Sequence, residues 1–135
     1  MSHDAGTRPT DRRTEARRRG DAAEEAALHL LGAAGLVLLA RNVRFKVGEL
    51  DLVMREGGTL VIVEVRRRRH GDWGDALASI DRGKARRLVR AAAALLQRHP
   101  HWAAGPCRFD VVAFDAGQTP RWLRDAFTLD AIGLA

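Results

Sequence analysis

The sequence predicts one α/β domain: a mixed β-sheet flanked by helices, with elements in the order α-β-β-β-α-β. Three observations lead there. Two strand-like runs, residues 49–54 and 60–66, flank the hairpin signal Glu56-Gly57-Gly58-Thr59. The second run, Leu-Val-Ile-Val-Glu-Val-Arg, is the most apolar in the chain, as expected of a central strand covered on both faces. A long helical stretch then separates it from a further strand. That crossover makes the last pair parallel and right-handed.

Residues 20–34 read as the first helix. Ala27, Leu28 and Leu31 form an apolar stripe, Glu24 falls on that stripe, and Gly35 suits the helix end. Residues 36–46 alternate loosely and carry β-branched and aromatic side chains, which predicts a strand. Val47-Gly48 permits a tight turn into the strand at 49–55. The third strand spans 60–67, and a loop with Gly71, Trp73 and Gly74 follows. Asp81 is a candidate N-cap for a helix to about Gln97, with Leu88, Ala92 and Leu95 as its stripe and Lys84 one turn before. Pro100 ends that helix. Residues 107–114 form the fourth strand, and Trp122, Leu123 and Phe127 suit a short strand or turn packed on the core. Residues 1–19 are polar and arginine-rich and are expected to form a mobile basic tail, with the folded domain at 20–135.

At 135 residues with 46% hydrophobic content, the chain has enough apolar surface for one core. The net charge of +6 and pI near 11.1 favour a polyanionic partner; a basic surface that merely aids solubility is the alternative. All but two of the 23 basic residues are arginine, the lysines being Lys46 and Lys84. Alanine is also abundant, so the arginine excess reads partly as base composition. Cys107 stands alone, which excludes a disulfide framework and a cysteine zinc site. The start of the chain lacks the apolar core of a signal peptide, and no stretch is long enough to span a bilayer, so a cytoplasmic location is expected.

The Gly57-Gly58 turn sets the register. Asp51 then faces Glu64, and Glu49 faces Arg66. Like charges opposite one another destabilise a sheet, so a fold that keeps Asp51 and Glu64 together is expected to use them, most simply to hold a divalent cation. Carboxylate oxygens suit Mg²⁺, with Mn²⁺ as a substitute. Glu24, on the buried stripe of the first helix, is the candidate third carboxylate, because a lone ionised Glu on an apolar face is costly without a partner. Arg66, two residues after Glu64, is placed to stabilise a phosphate or orient a water. This arrangement suggests metal-assisted phosphodiester hydrolysis.

Simpler readings stand beside these. Glu49 and Arg66 would make a plain cross-strand salt bridge. Arg44 would oppose and neutralise Asp51 if Val47-Gly48 is a two-residue turn. On spacing alone Asp51 and Glu64 would be an ordinary charged sheet edge, and Glu24 a simple exposed residue if the helical phase is off by one. Lys84 would snorkel at the end of its stripe, and Asp110 would bond a backbone group or Arg108. His99 and His101 lack a third zinc ligand. Trp73 would stack on a base or pack on the sheet edge.

Gly20, Glu24, Ala27, Leu31, Gly35, Arg41-Asn42-x-Arg44, Gly48-Glu49-Leu50-Asp51-Leu52, Val63-Glu64-Val65, Lys84, Arg108-Phe109-Asp110-Val111-Val112 and Ala126-Phe127 occur in this order. Together they resemble the bacterial YraN family. That family is similar to the restriction-endonuclease-like superfamily and to archaeal Holliday-junction resolvases. The resemblance implies a nuclease core whose motif is an acidic residue on one strand and Glu/Asp-x-Lys on the next. Carried over, Asp51 and Glu64 are the two strand acids, and Glu24 is the helix glutamate of the resolvase-like branch. Arg66 stands where the motif has lysine. Arginine stays protonated, so it suits electrostatic stabilisation better than activation of water. The implied activity is Mg²⁺-dependent cleavage of DNA, branched DNA included. Glu24, Asp51 and Glu64 would bind metal, and Arg66 would contact the scissile phosphate. Arg41, Arg44 and Lys84 would contact nucleic acid, with Glu49 a secondary candidate. Resolvase-like proteins often act as homodimers, but no sequence feature locates an interface. The alternatives are a non-catalytic DNA-binding module that keeps the fold, and an interaction protein whose acidic cluster is structural.

Overall fold

A computed structural model of the chain describes residues 12–68, 79–115 and 119–127. It contains α1 (Arg12–Ala33), β1 (Val37–Phe45), β2 (Gly48–Glu56), β3 (Thr59–Arg68), α2 (Arg82–Arg98), a 3₁₀ turn (Pro100–Ala104), β4 (Cys107–Asp115) and β5 (Arg121–Leu123). The expected order is present, with β5 as a short added strand. Trp73 and most of its loop lie outside the described residues, as do residues 1–11 of the expected tail.

The five strands form one sheet in the order β1-β2-β3-β4-β5. β1–β2, β2–β3 and β4–β5 are antiparallel, and β3–β4, joined through α2, is parallel. β3 is central, and side chains of 60–64 are buried on both faces. Ala27 and Leu31 of α1 pack on one face against Leu52, Met54, Val61, Val63 and Val112. Leu88, Ala91, Ala92 and Leu95 of α2 pack on the other against Leu50, Val53, Leu60 and Ile62. Each buried leucine-sized side chain contributes about 1.5–3 kcal/mol of transfer free energy, so these two layers hold the sheet.

The helix ends are encoded locally. Leu36 N–H donates to the Leu31 carbonyl at 3.1 Å and Gly35 N–H to the Gly32 carbonyl at 3.0 Å, with Gly35 at φ 100°. This is a Schellman cap, sealed by the buried Leu31 and Leu36. At the start of α2, Asp81 Oδ1 accepts from Lys84 N–H at 2.8 Å, as expected of an N-cap. α1 begins at Arg12 rather than at residue 20. Residues 12–19 are mostly Arg, Glu and Ala, which extend a helix by propensity although they offer no apolar stripe.

The two hairpins differ from expectation in one place. Gly57-Gly58 is the β2–β3 turn, and Leu52↔Val63 through Glu56↔Thr59 pair in the expected register. In the β1–β2 hairpin the turn residues are Lys46-Val47, so Arg44 pairs with Glu49 and not with Asp51. Gly48 serves packing instead of the turn: a Cβ there would lie 2.9 Å from the Arg87 carbonyl oxygen of α2.

Candidate metal and nucleic-acid site

β2 turns over at Asp51. Leu50 packs beneath α2 and Leu52 beneath α1, although residues two apart on a regular strand share a face. On β1, Asn42 beside it adopts φ 54°, a left-handed conformation that asparagine tolerates better than most residues. The β2–β3 ladder stops at Leu52↔Val63. Beyond it, Val65 N–H donates to Asp51 Oδ2 at 2.9 Å, so the side chain takes over from the strand backbone. Asp51 therefore lies between the two faces of the sheet, within reach of groups from both helices.

Glu64 alternates with Leu60 and Ile62 and so points to the α2 side, with only 3% of its surface exposed. Its Oε2 carries two cations at 3.3 Å, Arg66 Nη1 and Lys84 Nζ. Its Oε1 is buried and has no hydrogen-bond partner. Asp51 and Glu64 are near enough for the charge of one to act on the other. Burial first, and then the charge of Glu64, push the Asp51 carboxyl up to about 7, against the opposing Val65 N–H and Lys84. At neutral pH the Asp51 carboxyl is poised between its protonated and ionised forms.

Glu24 approaches from α1. Its side chain is 14% exposed, against 55% for Glu25, so the expected helical phase holds. Burial and the charge of Asp51 raise its pKa, while the Asn42 side chain and Arg41 lower it. Glu24 Oε1 also has no hydrogen-bond partner, and Arg41 Nη2 stands off at 3.6 Å. The two orphaned oxygens, one on Glu24 and one on Glu64, fit hard, oxygen-seeking cations. Among the described residues no three His, Cys, Asp or Glu side chains already converge as a metal cage. Mg²⁺ does not require one: it commonly takes one or two protein carboxylates and fills the remaining positions with water and substrate oxygens. Asp51 and Glu64 would hold the ion, with Glu24 near Asp51 from the α1 side.

The cations divide into two groups. Arg66 Nε donates to Ser79 Oγ at 2.9 Å and Nη2 to the Ser79 carbonyl at 3.1 Å, which ties β3 to the entrance of α2. It does not pair with Glu49, whose partner is Arg44 at 3.6 Å. Arg41 donates to Glu25 at 3.1 Å. Arg17, Asp21, Glu24, Asn42, Arg44 and Glu49 line a polar cleft of about 480 Å³ that opens towards Glu24 from the β1–β2 side. Lys84 is the one member of the expected nucleic-acid set that touches Glu64. Asn42 and Ser79 are the residues that reading the sequence missed as parts of the site. Asn42 lies within the Arg41-Asn42-x-Arg44 motif, which offered a signal; nothing local marks Ser79. Asp110 stands apart from the cluster and bonds Arg108, Trp122 and the backbone of Asp125. His99 stacks on Trp102 with ring centroids 4.1 Å apart. No described helix is long and apolar enough to cross a membrane.

The fold is thus a single-domain α/β protein with a five-stranded mixed sheet between two helices, compatible with a nuclease-like core. Residues 23–114 match the model of the uncharacterised protein family UPF0102, the YraN family, and the chain belongs to it. It is 54% identical over 119 residues to the UPF0102 protein of Halorhodospira halophila, covering 88% of this chain and 94% of that one. With the UPF0102 protein of Pseudomonas putida strain GB-1 the identity is 55% over 114 residues, covering 82% and 93%. The Bordetella petrii relative is 52% identical over 122 residues, covering 87% of this chain and 75% of its own.

Proposed function

We propose that this protein is a divalent-metal-dependent endonuclease acting on DNA, with branched DNA among its substrates. One observation carries this reading: Asp51 and Glu64 are forced together at a strand break, with one Glu64 oxygen bare and the other flanked by two cations. An acidic pair kept only for stability would have its oxygens satisfied. A divalent cation held there would polarise a phosphodiester and lower the pKa of a bound water.

The chain's own groups supply the rest. Asp51, fixed by Val65 N–H, sets the position of the acidic pair. Arg66 and Lys84 place positive charge beside the negative charge that builds up on a phosphate under attack. Arg17 and Arg44, beside the Glu24 cleft, supply electrostatic attraction for a nucleic-acid backbone, in keeping with the +6 charge. Because the Asp51 carboxyl titrates near 7, metal affinity and cleavage should rise as pH passes through that value. The inclusion of branched DNA comes from the resemblance to resolvases.

The test is cleavage of linear, flapped and four-way DNA with and without Mg²⁺ or Mn²⁺, using wild type and the Asp51→Ala/Glu64→Ala double variant. Metal-dependent cutting by wild type, lost in the double variant, is the expected result. Cutting that survives in the double variant removes the assignment. A second reading, a DNA-binding module without catalysis, is favoured by the bonds that commit Arg66 to Ser79. It is the outcome if DNA binds with a steep salt dependence and no metal yields cleavage.

A further inference from the structure

Arg66 and Lys84 approach the same Glu64 oxygen at the same distance, 3.3 Å, but they are held differently. Arg66 uses Nε and Nη2 to grip Ser79, and it cannot leave Glu64 without loosening the junction between β3 and α2. Lys84 has its backbone fixed at the α2 cap by Asp81, while its ammonium sits on a flexible four-carbon stem, a quarter exposed. It can swing away from Glu64 while the cap stays intact. Its charge also reaches Asp51, so it spans both members of the acidic pair.

The charges make this mobility meaningful. With both acids ionised, Asp51 and Glu64 are balanced by Arg66 and Lys84. A divalent cation bound to the partnerless, buried Glu64 Oε1 would leave these four groups and the metal at +2, with an ammonium close enough to be repelled. A phosphodiester nearby would restore the balance by accepting the displaced ammonium.

We propose that Lys84 is the exchangeable counter-ion of this site: its ammonium neutralises Glu64 until a divalent cation takes that carboxylate, then moves to a phosphate of bound DNA. The first half stands without the nuclease reading; the second half rests on it. Lys84 would thereby supply from α2 the lysine that β3 lacks at Arg66.

Mg²⁺ alone, titrated at pH 8.5 and followed through the Val65 amide resonance, tests the first half. That amide is bonded to Asp51 and reports the site directly. Lys84→Met keeps the apolar stem and removes the competing charge, so Mg²⁺ should bind roughly fivefold tighter than to wild type. Lys84→Gln serves if the methionine variant does not fold. Equal or weaker Mg²⁺ affinity in the charge-free variant overturns the proposal. The second half is read from four-way DNA binding across a salt series, with Ca²⁺ or with EDTA. Wild type should show a steeper slope than Lys84→Met, by about one phosphate, only when Ca²⁺ is present. Equal slopes with Ca²⁺ overturn the phosphate step. If wild type binds no DNA at all, the nuclease reading and the phosphate step fall together, and the Mg²⁺ comparison still decides the counter-ion exchange.

Discussion

Asp110 and Glu64 lie on neighbouring strands and are withdrawn from solvent to nearly the same degree, at 0% and 3% exposure. Their surroundings differ. Asp110 accepts from Arg108 through both oxygens at 3.0 and 3.2 Å, from Trp122 Nε1 at 3.0 Å and from Asp125 N–H at 2.9 Å. Arg108 continues to Glu56 at 2.7 Å, and Arg124 joins Glu56 from the rim while stacking over Trp122. Arg124 and Arg108 hold the Glu56 carboxyl below its ordinary range. This network closes on itself and fastens β5 to the end of β2. At the other cluster, Glu64 and Glu24 keep bare oxygens and Asp51 is pushed towards protonation. The same buried chemistry is satisfied in one place and left open in the other. Of these two clusters, only the second leaves carboxylate oxygens without a hydrogen-bond partner.

The sharpest way to break this contrast is to remove a carboxylate from each side. Asp110→Ala strips the Trp122 Nε1–H and Asp125 N–H of their acceptor, leaves partly buried Arg108 with Glu56 alone, and should cost roughly 3 kcal/mol in urea denaturation. A loss below about 1 kcal/mol would show that the closed network holds nothing together. Asp51→Asn should do the opposite. The folded Asp51 titrates near 7, well above its ordinary 3.8, so the folded state keeps a proton that the unfolded state loses between those values. Stability from this group therefore falls as pH rises from about 4 to 7, and the penalty is full above 7. Asparagine keeps an acceptor for Val65 and removes the charge. It should stabilise the protein by about 2 kcal/mol at pH 8 and by little near pH 4. A gain that does not depend on pH would argue against charge strain as its source.

Smaller still is the effect expected of the proposed metal. Mg²⁺ at ten times its dissociation constant should raise wild-type stability at pH 8 by about 1.4 kcal/mol, and EDTA should reverse the gain. Asp51→Asn should lose most of that response while Asp110→Asn, if folded, keeps it. A thermal midpoint that Mg²⁺ moves equally in both variants would place the metal somewhere other than the open cluster.

How much of this was legible in the sequence depended on how local each signal was. The β2–β3 register followed from Gly57-Gly58 because a two-residue turn fixes every pair after it. The apolar run of β3 gave its central place, and the α1 stripe gave the inward turn of Glu24. The β1–β2 turn was misplaced because Gly48 looks like a turn residue. Its demand comes from α2, whose Arg87 carbonyl crosses it, and that is a contact between elements distant in sequence. The two faces presented by Leu50 and Leu52 are hidden for a related reason: regular alternation puts residues two apart on one face, while β2 turns over at Asp51. Lys84 was visible on its stripe, but its meeting with Glu64 depends on how α2 docks on β3. Arg66 was visible beside Glu64, but its bonds to Ser79 cross the loop.

Asn42 offers the finest test of the open cluster, because its backbone and its side chain have separable effects there. Its φ of 54° accompanies the turnover at Asp51, and its side chain lowers the Glu24 pKa. Glycine accepts that backbone conformation freely, whereas alanine pays for a left-handed φ. Asn42→Ala should therefore cost about 1 kcal/mol, and Asn42→Gly should stay within about 0.5 kcal/mol of wild type. Both lose the amide that favours ionised Glu24, so both should raise the Glu24 pKa, read by carbon-detected NMR of its carboxyl. If both variants destabilise equally, the side-chain contact dominates and the twist of β1 carries no strain. If neither changes the Glu24 titration, Asn42 only shapes the strand. A stability difference between glycine and alanine, with a shared rise at Glu24, would show that the kink and the carboxylate environment are set by the same residue through two independent forces.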